Sequence, residues 1–416
     1  MRVPPLLPLT LVVLSALALP AAAQGDRPSA GPAGQPGKDD DEVLKAGRRD
    51  PYTEGDAVAM QAAGIVAYGP FPWADRQSTA DVDRVLGEGR ILWLETAHFR
   101  IGCSLASAPM PVDAEPRRQL GDELARLHKA LPKASEKPKR LDPWLRLHLY
   151  AQRAEELYAA FERLVGATDA SFGDGQEPPN GRYLGLPGKY LLLLLQKKGD
   201  FARYLDRFTT AKSEQSIRYY HAVTNQFLFA VAVDANDSFD EPALHSNVVY
   251  SLVQNLACGL HGYTFAPPPW LTEGLAHWYS RQIATEFINC KPKDADAVND
   301  RDKHLWAHKV RLRCQHDGAT LSFEQLLRWR AADELGYQGH IQAWSRIDYL
   351  MSLGPEKVGL LLDRIKRMPV PPDGKGIPPE TLISAQTGAL ADLCQMDPAM
   401  FDQRWREWTQ KAYARR

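Results

Sequence analysis

Apolar residues recur at three- and four-residue steps through 241–259. Leu244, Val248, Val249, Leu252, Val253 and Leu256 therefore share one face of a predicted helix. Asp240 is placed to cap its start, Pro242 suits the first turn, and Gly259 is suited to end it. Tyr250, Ser251 and Gln254 fall on the neighbouring, more polar face, with positions 250 and 254 one turn apart. Three prolines, Pro267 to Pro269, cannot continue that helix, and Leu271, Leu275 and Trp278 then open a second helical stripe.

Upstream, the pattern alternates between helix and strand. Helices are predicted over 114–131 and, with Leu145, Leu149, Leu157, Phe161 and Leu164 on one side, over 144–165. The runs 91–94 and 96–101 suit short strands, and the unbroken apolar run 190–195 suits a strand covered on both faces. A short helix over 200–208 and a strand over 218–233 lead directly into Asp240. Downstream, helical segments are predicted over 321–329, 337–352, 355–368, 379–394 and 396–413. The fold class is α+β: a small mixed sheet packed on the 241–259 helix, then a mainly helical C-terminal half. The glycines of 166–188 follow no phosphate-loop spacing, which excludes a nucleotide site of that kind.

The second stripe reads Pro269-Trp270-Leu271-Thr272-Glu273-Gly274-Leu275-Ala276. With the helix before it, this stretch resembles the gluzincin metallopeptidases, most of all the peptidase MA-like family, and the fold it implies is zincin-like. There a first helix carries His-Glu-x-x-His, and a second carries Trp-Leu-x-Glu-Gly-x-Ala, whose Glu is the third zinc ligand. Laying Tyr250-Ser251-Leu252-Val253-Gln254 on the first motif leaves 18 residues before Glu273, a familiar gap in the aminopeptidase branch. Glu273 then matches the third ligand. Tyr250 and Gln254 stand at the two histidine positions and Ser251 at the catalytic glutamate. The sequences around His98 and over 337–352 also resemble, respectively, the first strand of the family and the helix beneath its cleft. The strand before the metal helix borders the cleft there and pairs with extended substrate.

The chemistry of the substitutions argues against hydrolysis by the family's mechanism. Catalytic zinc takes imidazole or carboxylate ligands and leaves a place for water, and a neutral phenol and an amide are poor replacements. Zinc lowers the pKa of its water from about 15.7 to about 7, which is worth roughly 12 kcal/mol in making hydroxide at neutral pH. Ser251 cannot take a proton as a carboxylate does. The expectation is a pseudo-peptidase without cofactor or metal, holding a peptide or protein in the former cleft. The alternative is an active metal-dependent hydrolase with a different ligand set, such as Glu273 with His277, His245, His261, or His304 and His308; His245, five residues before Tyr250, would need a register shift to replace it. His304 and His308 lie four apart, but no Glu follows His304 and the flanking charges suggest a solvated face. His98 is read as structural.

Residues 1–23 have the pattern of a secretory signal peptide: Arg2, an apolar core over 6–19, and Ala21-Ala22-Ala23 before Gln24. An exported protein, secreted or of the periplasm or envelope, is expected. The stretch 24–50, rich in Gly, Pro and charge, reads as a flexible linker. An N-terminal α+β part over 51–240 and a helical part over 241–416 follow. With Lys+Arg 50 against Asp+Glu 51 the chain carries no overall charge to recruit nucleic acid, and no later stretch is long and apolar enough to span a membrane. Five scattered cysteines lack zinc-finger or CxxC spacing; in an oxidising compartment a pair or two is expected to bond. Cys258 is read as a small core residue.

Overall fold

The computed structural model describes residues 38–176, 178, 180–235, 240–290, 300–371 and 376–415. The expected signal peptide and the first part of the 24–50 linker lie outside them. The rest of that linker differs from expectation. Lys38–Ala46 forms helix α1, whose Val43 is buried and whose Glu42 carboxylate accepts the Ser107 backbone N–H at 2.7 Å. One buried valine and one partly buried acceptor seat a stretch whose composition is that of a linker.

The elements then run α2 (Ala57–Ala62), β1 (Ala67–Tyr68), β2 (Pro72–Trp73), β3 (Gln77–Ser78), α3 (Thr79–Leu86), β4 (Leu92–Glu95) and β5 (Phe99–Cys103). Next come β6 (Ala108–Pro109), α4 (Ala114–Ala130), β7 (Arg140–Leu141), α5 (Pro143–Val165), β8 (Tyr190–Leu195) and α6 (Lys198–Phe208). A hairpin, β9 (Ser216–His221) and β10 (Gln226–Ala232), leads to α7 (Glu241–Gly259) and α8 (Pro269–Ser280). The helical half ends with α9 (Trp306–Arg313), α10 (Phe323–Arg328), α11 (Gly336–Leu353), α12 (Pro355–Lys366), α13 (Pro379–Cys394) and α14 (Pro398–Ala412). The α+β class and the helical C-terminal half are as expected.

A six-stranded mixed sheet has the order β1-β4-β5-β8-β10-β9, with β8 parallel to both neighbours and the other pairings antiparallel. The unbroken apolar run of β8 follows from its position. Tyr190, Leu192 and Leu194 face the core shared with α5 and α7, and Leu191, Leu193 and Leu195 face Val82, Phe201 and Tyr204 of α3 and α6. Both faces are covered, so no polar residue is called for. The stretch 218–233 is a hairpin rather than one strand: Asn225 turns the chain in the left-handed region, φ 51°, and β9 doubles back as the edge of the sheet.

Alternation sets what β9 offers. Ala232 N–H donates to the Gln215 carbonyl at 2.9 Å, so the next pairs bonded to β10 are 217, 219 and 221, and the Arg218 amide turns to the outer edge. The Arg218 side chain, opposite Phe229, projects onto the α7 face of the sheet.

α7 is capped as predicted, the Ala243 N–H donating to Asp240 Oδ1 at 2.9 Å. It is not amphipathic in place, because its polar face is covered as well as its apolar one. A buried ion cluster fixes its first turn. Glu241 accepts from Arg153 at 2.6 Å and from Arg146 at 2.8 Å, both on α5, and Arg153 also reaches Glu123 at 2.7 Å. The two guanidinium groups outweigh the burial that would raise it and hold the Glu241 carboxyl below the usual range. One hydrophobic core runs from Val43 to Tyr413 through both halves of the chain. No disulfide forms among the five cysteines. Among the described residues no helix is long and apolar enough to cross a membrane.

His98 has the structural place expected of it. Its Nδ1 lies 2.5 Å from Glu155, its Nε2 3.2 Å from Asp169, and its ring stacks on Tyr158 at 3.9 Å, joining the sheet to α5. Burial disfavours the imidazolium, but Asp169 and Glu155 together overcome it and raise its pKa to about 9. A raised imidazole pKa means stabilisation that is complete below the unfolded value, about 6.5, and lost as pH climbs through about 9. Urea unfolding at pH 6.5 and pH 10 is expected to show a fall in stability that is smaller in His98→Gln. Equal falls in the two proteins would remove the pair of ion contacts from the account.

Candidate functional site

The site is built where α7, α8, α11 and β9 meet. α8 comes close to α11 because Gly274 has no side chain: an added Cβ would lie 2.7 Å from Ile347 Cγ1 and 2.8 Å from the Ala343 carbonyl oxygen. That approach explains the glycine after Glu273. It also brings the α8 side chains Glu273 and His277 against α7 on one side and α11 on the other.

Tyr250 and Glu273 meet. The Tyr250 hydroxyl donates to Glu273 Oε2, and both residues are buried. Burial pushes the Tyr250 phenol well above its ordinary value and the Glu273 charge pushes it further, so it stays a donor. Burial likewise raises the Glu273 carboxyl, against the opposing effects of Tyr250, Arg218 and Gln254. Gln254 is held from the sheet: Arg218 Nη1 donates to its Oε1, Nε to Asn255 Oδ1 at 2.8 Å, and Nη2 contacts Cys258 Sγ at 3.4 Å. Ser251 is buried on the same helix face.

The residues present do not fit a zinc ion at these positions. The phenol is spent on Glu273 and the amide oxygen of Gln254 on a guanidinium. A divalent ion about 4 Å from that guanidinium meets repulsion on the order of 8 kcal/mol at an effective dielectric of about 20. Ser251 on the same face offers a hydroxyl, which does not take up a proton as a carboxylate does.

The alternative ligand set is separated by the fold. His304 is exposed and pairs with Glu286 at 3.3 Å, and His308 is half-buried on α9. His245 turns to Glu123 at 3.6 Å, and His261 Nε2 bonds Asp363 at 2.6 Å. His277 alone points inward beside the site. Its Nε2 lies 3.2 Å from His340 Nδ1 on α11, its ring packs against Tyr250 and Trp306, and His340 Nδ1 is 3.8 Å from Glu273 Oε2. Burial first, then His340 and Arg281, drive the His277 pKa well below the usual imidazole range, so its ring is neutral. Among the described residues one group of three ligating side chains converges, His277, Cys290 and His340.

Arg218, His340 and Cys290 went unrecognised as site residues in the sequence. Arg218 carries no motif, and only the hairpin brings it under α7. His340 sits in the helix that resembles the one beneath the family's cleft, which was the sole available signal. No protein-family model, curated protein or solved structure matches the chain.

Replacing Tyr250 by Phe removes the phenol donor from a buried carboxyl, and a loss of about 1–3 kcal/mol is expected in urea unfolding. The double change Tyr250→Phe with Glu273→Leu removes both partners and is expected to cost less than Tyr250→Phe alone. A single Tyr250→Phe within about 0.5 kcal/mol of wild type would mean that the contact carries no stability.

Proposed function

We propose that this is an exported, zincin-like protein without peptidase activity, which holds an extended peptide or protein segment along β9. The observation that carries the reading is the closure of the catalytic positions: Tyr250 onto Glu273 and Gln254 onto Arg218. A polar network of this kind keeps the helix pair of a gluzincin while removing the place of its metal and its base. The likeness in Trp-Leu-x-Glu-Gly-x-Ala and the spacing of the two helices support the ancestry. The position of β9 supports the binding role, since it ends the sheet and its Arg218 amide turns outward, the arrangement that strand addition uses. Main-chain hydrogen bonds supply affinity in that mode without any metal. The charged start, apolar core and alanine triplet of 1–23 support export.

Mature protein recovered from its host and incubated with peptides of a casein digest tests these points together. Its chain is expected to begin at or near Gln24. The peptides are expected to survive intact, and hydrogen exchange of the β9 amides, Arg218 foremost, to slow in their presence. Cleavage that disappears in Glu273→Gln would overturn the non-catalytic reading in favour of a hydrolase. Unchanged exchange across β9 would overturn the docking site.

A further inference from the structure

We propose that His277, Cys290 and His340 form a buried binding site for zinc, separate from the positions of Tyr250, Ser251 and Gln254. The proposal is independent of peptide docking at β9. Its ligand atoms come from three separate segments: α8, the chain that follows α8, and α11. They all lie within 4.8 Å of one another, and all three residues are buried.

The separations suit coordination. Two imidazole nitrogens each about 2.0–2.1 Å from a tetrahedral zinc stand about 3.3–3.4 Å apart, and a nitrogen and a thiolate sulfur about 3.5–3.6 Å. His277 Nε2 and His340 Nδ1 are 3.2 Å apart. A hydrogen bond between the rings accounts for that distance but not for the arrival of Cys290 Sγ at the same point. Two imidazoles and a thiolate are a donor set for zinc and a poor one for magnesium or calcium. Glu273 is not counted as a ligand, because its carboxylate is engaged by Tyr250.

The surroundings hold the ligands in position. Trp306 and Tyr250 pack edge-on or tilted against the His277 ring, each at 4.9 Å. Arg281 is the nearby cation. Its guanidinium lies 3.9 Å over Trp306 and donates to the carbonyls of Thr285, Lys303 and His304, each at 3.1 Å. Binding replaces the thiol proton of Cys290 with the metal–sulfur bond and releases that proton. Each imidazole keeps its proton on the nitrogen facing away from the metal. The bound ion ties α8 to α11 and to the loop carrying Cys290, so its effect is to brace the pair of helices under the former cleft.

The test uses the full chain, stripped with chelator and titrated with zinc alone and with cobalt(II) as its coloured substitute. One equivalent is expected to bind, with a thiolate-to-cobalt charge-transfer band, and zinc is expected to raise the melting temperature in a chelator-reversible way. Cys290→Ser is expected to abolish the band and weaken zinc at least about tenfold, whereas His304→Ala leaves both unchanged. The band is read on the wild-type chain, so the test stands even where a buried variant fails to fold. No binding, binding without the thiolate band, or a folded Cys290→Ser that binds zinc as tightly as wild type would each overturn the site.

Discussion

A carboxylate buried between two helices must be answered by a donor, and the centre of this protein is arranged around that requirement. Leaving Glu273 without its hydroxyl donor in the interior costs about 1–3 kcal/mol, so its neighbours are constrained first. Tyr250 supplies the hydroxyl from α7, which fixes the rotation of α7 against α8. Gly274, next to Glu273, admits α11, and the same approach places His340 beside His277. A neutral phenol answers this carboxylate as a hydrogen-bond donor.

Two further charged groups carry the constraint outward. Arg218 extends from the edge strand to Gln254 and Asn255, so the end of the sheet is tied to the polar face of α7. Glu241 ties the first turn of the same helix to Arg146 and Arg153 of α5. α7 is therefore pinned at its start by an ion cluster, along its length by the sheet, and near its end by Arg218. This central helix has almost no solvent-facing side, so its polar residues as well as its apolar ones are buried. The proposed zinc site adds a last brace, between α8 and α11.

Much of the fold was legible because it rests on local pattern. α5 and α13 announce themselves by periodicity and by Asp142-Pro143 and Pro378-Pro379 at their starts, and β8 by six apolar residues in a row. The places where sequence reading diverged share a physical cause. The turn at Asn225 carries no glycine or proline, so a hairpin looked like one strand. α1 lies in a stretch whose composition is that of a linker, and a single buried valine seats it. The helix pair was readable from periodicity and the prolines between the two stripes, whereas placing Tyr250 near Glu273 followed from the family resemblance and their hydrogen bond was not foreseen. The partners Arg218, Cys290 and His340 were not, because they reach the site from other elements through tertiary packing alone.

The central claim is that Tyr250, Ser251, Gln254 and Glu273 occupy the positions of a lost metal set. Zinc stoichiometry in a rebuilt protein tests it most directly. In a Cys290→Ser background, which removes the proposed neighbouring site, Tyr250→His, Ser251→Glu and Gln254→His restore the motif, and Arg218→Leu removes the opposing charge. The account predicts a gain of one zinc per chain over the background protein, weakened at least about tenfold by adding Glu273→Ala. A folded variant that gains no zinc, or holds it equally well without Glu273, would contradict the register and leave α7 and α8 as two packed helices of an ordinary core.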